Sequence, residues 1–238
     1  MVEYPGKGVA EMKKRWISQE GLKLLACVTM LIDHLGAVFF LWIGLRIIGR
    51  LAFPVYCFLL AEGAAHSRNH GRYCLRLLTG ALLAELPFDL LFYGGVTWAH
   101  QSVMVTLLLG LVMILWWRKS GDFFLPFVLC FLGAELLHSD YGGWGVALIG
   151  LFATTANLAG GSWIQLGGMA LIFLAMEPYR VELLGLRIPV QLFGVLAMVP
   201  IRLYSGRKLT GSKWLRRAFY LFYPVHLLVL LLIRMYLS

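Results

Sequence analysis

Apolar residues run through this chain in long blocks separated by short polar breaks. From Gly21 to the C-terminus, stretches rich in Leu, Ile, Val, Phe and Ala follow one another with little between them. The hydrocarbon core of a bilayer takes about 20 apolar residues of helix, within a range of about 17–25. On that ruler the pattern predicts membrane-crossing helices near 21–45, 46–66, 73–93, 102–118, 123–138, 142–159, 162–177, 188–204 and 215–236, about nine in all. The blocks 123–138 and 142–159 are short. The reading is an all-α polytopic membrane protein: one bundle over residues 21–238, preceded by a polar cytoplasmic segment, 1–20.

That first segment ends in Lys13, Lys14 and Arg15, and the apolar run behind it carries Lys23, Asp33 and His34 without a small-residue cleavage site. It reads as a retained first span and not as a signal peptide. Composition agrees: 60% of residues are hydrophobic and 14% charged, against roughly half and a quarter in soluble domains. The formal net charge of +9 has an explanation in topology. With the N-terminus in the cytoplasm, Lys7, Lys13, Lys14, Arg15, Lys23, Arg68, Arg72, Arg76, Arg118, Lys119, Arg202, Arg207, Lys208, Lys213, Arg216 and Arg217 all fall on the inner side, which fits an N-in, C-out chain with an odd number of spans. Little positive charge is left for nucleic acid. The basic stretch 205–214 is placed to meet anionic lipid head groups or a phosphate-bearing ligand. Cys27, Cys57, Cys74 and Cys130 lie in or beside apolar runs with no CxxC spacing, as buried thiols would.

Ionisable residues inside the apolar blocks carry the functional signal, because a charge at the bilayer centre costs at least ~2.5–3.5 kcal/mol. Asp33 and His34 stand side by side in the first block. Counting about 1.5 Å per residue from the cytoplasmic side, His34 lies roughly 20 Å in, Glu85 roughly 18 Å and His226 roughly 16 Å, one shared level near mid-membrane. Arg46 and Arg50 lie one turn apart near the outer side of the second block. Arg46 is expected as an interface anchor, whereas Arg50, deeper, needs a carboxylate or an anionic ligand. Glu62 sits near the cytoplasmic face; Glu85 and Asp89 share one helix face with Pro87 between them. His66, His70, His100 and His138 fall at helix ends or in loops and are expected to be solvated. Trp42, Trp98, Trp116, Trp117, Tyr141 and Trp144 read as an aromatic belt, and Gly142, Gly143, Gly145 and Gly150 as a close-packing surface.

A histidine oriented by a carboxylate is a general base, and a nearby arginine steadies a developing oxyanion. That set suits acyl transfer, and it suits a proton-coupled transporter nearly as well. A metal site is not expected: there is no HExxH, and the inner histidines are not at ligand spacing on one helix.

The stretches LLACVTMLIDHLGAVFF, LRIIGRLAFPVYCFLLAEG, RYCLRLLTGALLAELPFDLLF, QSVMVTLLLGL, SDYGGWGV and FYLFYPVHLL together resemble the TraX family and cover most of the chain in that family's order. The resemblance implies an inner-membrane N-acetyltransferase, related to wider transmembrane acyltransferases, that takes acetyl from acetyl-CoA to an amine such as a pilin N-terminus. Under it, Asp33, His34, Glu85 and His226 are the expected catalytic residues. Arg50, Glu62, Asp89, Arg72 and Arg76 are the expected donor or acyl contacts. The expected partners are acetyl-CoA, an amine-bearing acceptor and the bilayer of a bacterial inner membrane. An O-acetyltransferase of envelope glycans and a non-catalytic assembly factor remain the contrasting readings.

Overall fold

The computed structural model describes residues 16–40, 42–176, 180–183, 186–209 and 212–237. Lys7, Lys13, Lys14 and Arg15 of the cytoplasmic segment lie outside the described residues, as do the side chains of Lys213 and Arg216. The architecture is a helical bundle. In chain order it runs α1 (Gln19–Val38), α2 (Ile43–Gly49), α3 (Ala52–His66), α4 (His70–Phe92), α5 (Val103–Ser120), α6 (Phe124–Leu136), α7 (Gly142–Thr155) and α8 (Gly161–Ala175). A hairpin of β1 (Arg180–Leu183) and β2 (Leu186–Pro189) follows, then a 3₁₀ helix (Val190–Ala197), α9 (Met198–Arg202) and α10 (Lys213–Leu237).

Local chemistry sets several of the boundaries. The Ser18 side chain accepts from Gly21 N at 3.0 Å and opens α1, and the Asn69 side chain accepts from Arg72 N at 2.9 Å and opens α4, each satisfying an amide that the first turn leaves unpaired. Gly121, at φ +77°, closes α5 in a left-handed conformation that favours glycine.

Among the described residues, four helices are long and apolar enough to cross a membrane: Gln19–Val38, Ile43–His66, Val103–Ser120 and Arg217–Leu237. Phe124–Leu136, Gly142–Thr155, Gly161–Ala175 and Val190–Arg202 are apolar but shorter. The molecule is an all-α membrane protein with a small antiparallel hairpin, register Arg180↔Pro189 to Leu183↔Leu186, at a place where the sequence pattern gave only a break between spans. Several boundaries also differ from the pattern, among them the block 142–159, which ends at Thr155. The block 21–45 ends at Val38, where the chain turns through Phe40 at φ +50°, and the second crossing starts at Ile43. Apolarity runs on through that turn, so hydropathy alone does not see it. The block 188–204 is half 3₁₀ helix, which rises about 2.0 Å per residue against about 1.5 Å in an α-helix. Thirteen residues therefore reach nearly as far as an ordinary sixteen-residue helix.

Helix ends gather at two opposite poles. At one, Trp16 N donates to Leu203 O (3.1 Å), Ser205 N to Ile17 O (2.8 Å), Leu209 N to Glu20 Oε2 (2.8 Å) and Arg118 Nη1 to Ala64 O (2.7 Å). At the other, Asp140 N donates to Gln101 O (2.8 Å), Gln101 N to His138 O (3.2 Å), and Arg234 Nη1 to Leu91 O. Between the poles α7 supplies the centre of the core, with Val146, Leu148, Ile149 and Phe152 essentially inaccessible.

Candidate active site

Asp33 and His34 are neighbours on α1, and the helix turns them about 100° apart. They face different partners. Asp33 Oδ2 receives Arg46 Nη1 at 2.7 Å and Asp33 Oδ1 receives Arg50 Nη2 at 2.5 Å. Gly49 makes this approach possible: a Cβ there would stand 2.2 Å from both Cβ and Oδ1 of Asp33. Arg50 is tied down further, donating from Nη1 to Gln191 Oε1 at 3.0 Å and to the Tyr141 hydroxyl at 3.5 Å. Asp140, in the turn before α7, also interacts electrostatically with both guanidiniums, so two carboxylates face the two cations. Arg46, whose side chain is 32% exposed, has a face left for another anionic group. The expectation of Arg46 as an interface anchor does not match this placement.

His34 pairs with His226 instead of Asp33. His34 Nδ1 lies 2.7 Å from His226 Nε2, with the rings stacked at 5.0 Å and 6°. The hydrogen-bond network fixes the tautomers. His226 Nδ1 lies 2.8 Å from the carbonyl of Phe222, which only accepts, so Nδ1 carries the proton and Nε2 presents a lone pair. His34 Nδ1 must then be the donor between the rings, which leaves the His34 Nε2 lone pair as a base. The ring contact that the sequence pattern expected from Asp33 is made by His226.

The other expected site residues divide between two places. Glu85 accepts from Ser102 N at 3.1 Å and 3.3 Å, at the start of α5, and Asp89 Oδ2 accepts from Thr97 N at 2.9 Å. Both shape the loop between α4 and α5, and the structure does not bring them to the histidine pair by any direct bond. Glu62 and Arg76 line a cavity of about 540 Å³, as do Lys23, His66, Lys208, Tyr73 and Tyr220. Glu62 also pairs with His66 at 3.6 Å. The Arg76 guanidinium lies 5.4 Å from the ring centres of both Tyr73 and Tyr220. Arg72 is not part of the lining.

The cavity begins at the pole where residues 16–20, 62–70 and 203–209 meet and runs inward between α1, α3, α4, α5 and α10. Its lining on α1 extends from Gln19 to Met30 and on α3 from His66 to Phe53, a depth of roughly 16–20 Å from helix rise. Its inner end is formed by Met30, Phe53, Tyr56, Val103, Met104 and Tyr223. Met30 is one turn before His34, and the Tyr223 ring lies 6.3 Å from that of His34 and 5.5 Å from that of His226. Beside the inner end, the Tyr56 hydroxyl and the buried Cys27 Sγ lie 3.2 Å apart.

Sequence reasoning missed Gln191, Tyr141 and the cavity tyrosines. Tyr141, read as part of an aromatic belt, is packed inside against Phe53 and Arg50; Trp42 and Trp98 do stand exposed. Residues 18–234 match the family described as TraX protein. The chain belongs to the TraX family. It is 30% identical over 237 residues to the probable fimbrial assembly protein FimC, serogroup H1, of Dichelobacter nodosus, covering 91% of this chain and 96% of that protein. An uncharacterized protein of Rickettsia prowazekii is 29% identical over 103 residues, 43% of this chain and 38% of that one. No solved structure matches.

Proposed function

We propose that this TraX-family protein is an acetyltransferase of the bacterial inner membrane that moves acetyl from acetyl-CoA to an amine. The observation that supports it most is a cavity with basic residues at its mouth that ends one helical turn from the paired histidines. CoA has a charged, phosphorylated head and a thin, mostly neutral arm. Lys23, Arg76 and Lys208 at the mouth suit the head, since phosphate oxygens take charge-assisted hydrogen bonds from Lys and Arg. The arm spans ~15–20 Å, the depth given by helix rise, and the tyrosines along the wall offer hydroxyls to its amides. The thioester then stands at Met30 and Tyr223.

In the transfer, the amine nitrogen attacks the acetyl carbonyl carbon, the C–S bond breaks, and the CoA sulfur leaves. His34 Nε2 takes the proton that the amine loses and passes it to the departing thiolate. His226 Nε2 holds His34 in the tautomer this requires and stabilises the imidazolium formed in between. Arg46 and Arg50, both close enough to His34 to interact with it electrostatically, offer guanidinium donors to a developing oxyanion.

The basic pole is the cytoplasmic one in this reading, which puts the α4–α5 and α6–α7 loops outside. The name of the Dichelobacter relative points to a fimbrial subunit as one acceptor, its amino terminus being the reactive amine. The test is CoA binding to the purified protein in detergent, followed by acetyl transfer to an N-terminal peptide amine. Binding with transfer supports the reading; absence of CoA binding overturns it and leaves proton-coupled transport as the better account of a histidine pair in a bundle.

A further inference from the structure

Among the described residues, two stacked rings lie between the inner end of the cavity and the turn at the opposite pole. Phe53, 3% exposed in the first turn of α3, lines the cavity. Its ring stacks on Tyr141 with centroids 3.6 Å apart and planes 16° apart. Tyr141 does not line the cavity; it is partly exposed and belongs to the turn between α6 and α7, at the pole away from the mouth.

Several features hold that second ring in place. Tyr141 has φ +67°, a left-handed conformation that a non-glycine residue keeps only where its surroundings determine it. Its hydroxyl receives Arg50 Nη1. The turn that carries it is pinned by Thr106, whose hydroxyl donates to the Asp140 carbonyl. Gly145, one turn into α7, leaves room for the Phe53 ring and its neighbours: a Cβ there would stand 2.5 Å from Thr106 Cγ2, 2.9 Å from Phe53 Cζ and 3.0 Å from Tyr141 Cβ. The sequence motif SDYGGWGV thus contributes the backing ring, the turn and the gap, none of which the acetyl-transfer steps use directly.

We propose that Phe53 and Tyr141 form a partition that keeps water of the far side from the cavity's inner end and so decides between amine and water as acetyl acceptor. The inference rests on the acetyl-transfer reading of the cavity. Without the partition, water attacks the thioester carbonyl, the C–S bond breaks, and acetate and CoA thiol are released. The reaction needs no component beyond acetyl-CoA and water. Exclusion of water from a closed site suppresses side reactions of this kind.

The test uses the reconstituted full chain with Phe53→Ala and Tyr141→Ala, each removing one ring, and Tyr141→Phe, which keeps both. CoA thiol release from acetyl-CoA without acceptor should rise in the two alanine variants and not in Tyr141→Phe. A second measurement needs no activity. Met104→Cys places a thiol on the cavity wall, and a membrane-impermeant maleimide added outside intact cells should modify it only when Phe53→Ala or Tyr141→Ala is also present, read against the parent with its four native cysteines. If Phe53→Ala does not fold, Tyr141→Ala, at the less buried ring, carries both measurements. Unchanged CoA release together with unchanged labelling in a folded alanine variant overturns the partition. Labelling that opens in variants that neither hydrolyse nor transfer acetyl keeps the barrier and overturns the acetyl-transfer reading on which its role rests.

Discussion

His226→Phe isolates the contribution of the histidine pair. Phenylalanine keeps a flat ring for the stacks on Phe222, at 4.9 Å, and on His34, at 5.0 Å, and it removes the Nε2 acceptor 2.7 Å from His34 Nδ1. During transfer His34 becomes an imidazolium, so the lost contact is a hydrogen bond to a charged group, worth about 1.5–3 kcal/mol. At 1.36 kcal/mol per tenfold, that is a fall in kcat of about 10- to 150-fold. Freed from its partner, neutral His34 also loses the preference that leaves Nε2 unprotonated, which pushes the effect toward the upper end. The cavity mouth is untouched, so KM for acetyl-CoA should stay near wild type, the pattern of an interaction made mainly in the transition state. His34→Ala should cost about 10²–10⁴-fold. The double variant should be no slower than His34→Ala, because the two rings act as one unit. Steady-state rates with acetyl-CoA and a peptide amine, alongside melting curves, make the measurement. A His226→Phe enzyme within twofold of wild type, or a double variant slower by the product of the single effects, would refute the relay.

Asp33→Asn should act on stability more than on chemistry. It removes the carboxylate that pairs with two guanidiniums, and breaking one side of a buried ion pair costs about 3–5 kcal/mol; thermal unfolding in detergent should show the loss, and a variant as stable as wild type would remove Asp33 from its structural role. Replacing Arg76 and Lys208 with Gln should raise KM for acetyl-CoA and leave kcat largely intact, as loss of uniform binding does; if Arg46→Gln changes donor affinity instead, the donor enters from the other pole. Cysteine accessibility should place residues 67–69 and 205–209 in the cytoplasm and Thr97 and Leu237 outside, and a cytoplasmic Leu237 would reverse the sidedness assigned to the cavity.

The apolar blocks were enough to read the class of the fold and to place most helices, because the length of an apolar run and the thickness of a bilayer are set by the same dimension. They did not show the turn at Phe40 or the 3₁₀ stretch at Val190–Ala197, where the change lies in backbone angles at constant apolarity. Depth counting brought His34 and His226 to one level, and the structure pairs them. Adjacency misled at Asp33: the 100° step that lets two neighbours line one crevice also sends them to different partners. A sequence signal for its true partners was present in Arg46, Gly49 and Arg50, two cations one turn apart with a glycine on the approach. Tyr141 had no such signal, since its role depends on a left-handed backbone and on a ring from α3 eighty-eight residues earlier.

The most direct test of the central claim is transfer of labelled acetyl from acetyl-CoA in isolated membranes carrying either the wild-type chain or His34→Ala, with mass analysis of the labelled product. The account predicts label on an amino group in wild-type membranes and its near-complete loss in His34→Ala at equal protein abundance and equal CoA binding. Equal labelling in the two membranes would contradict it.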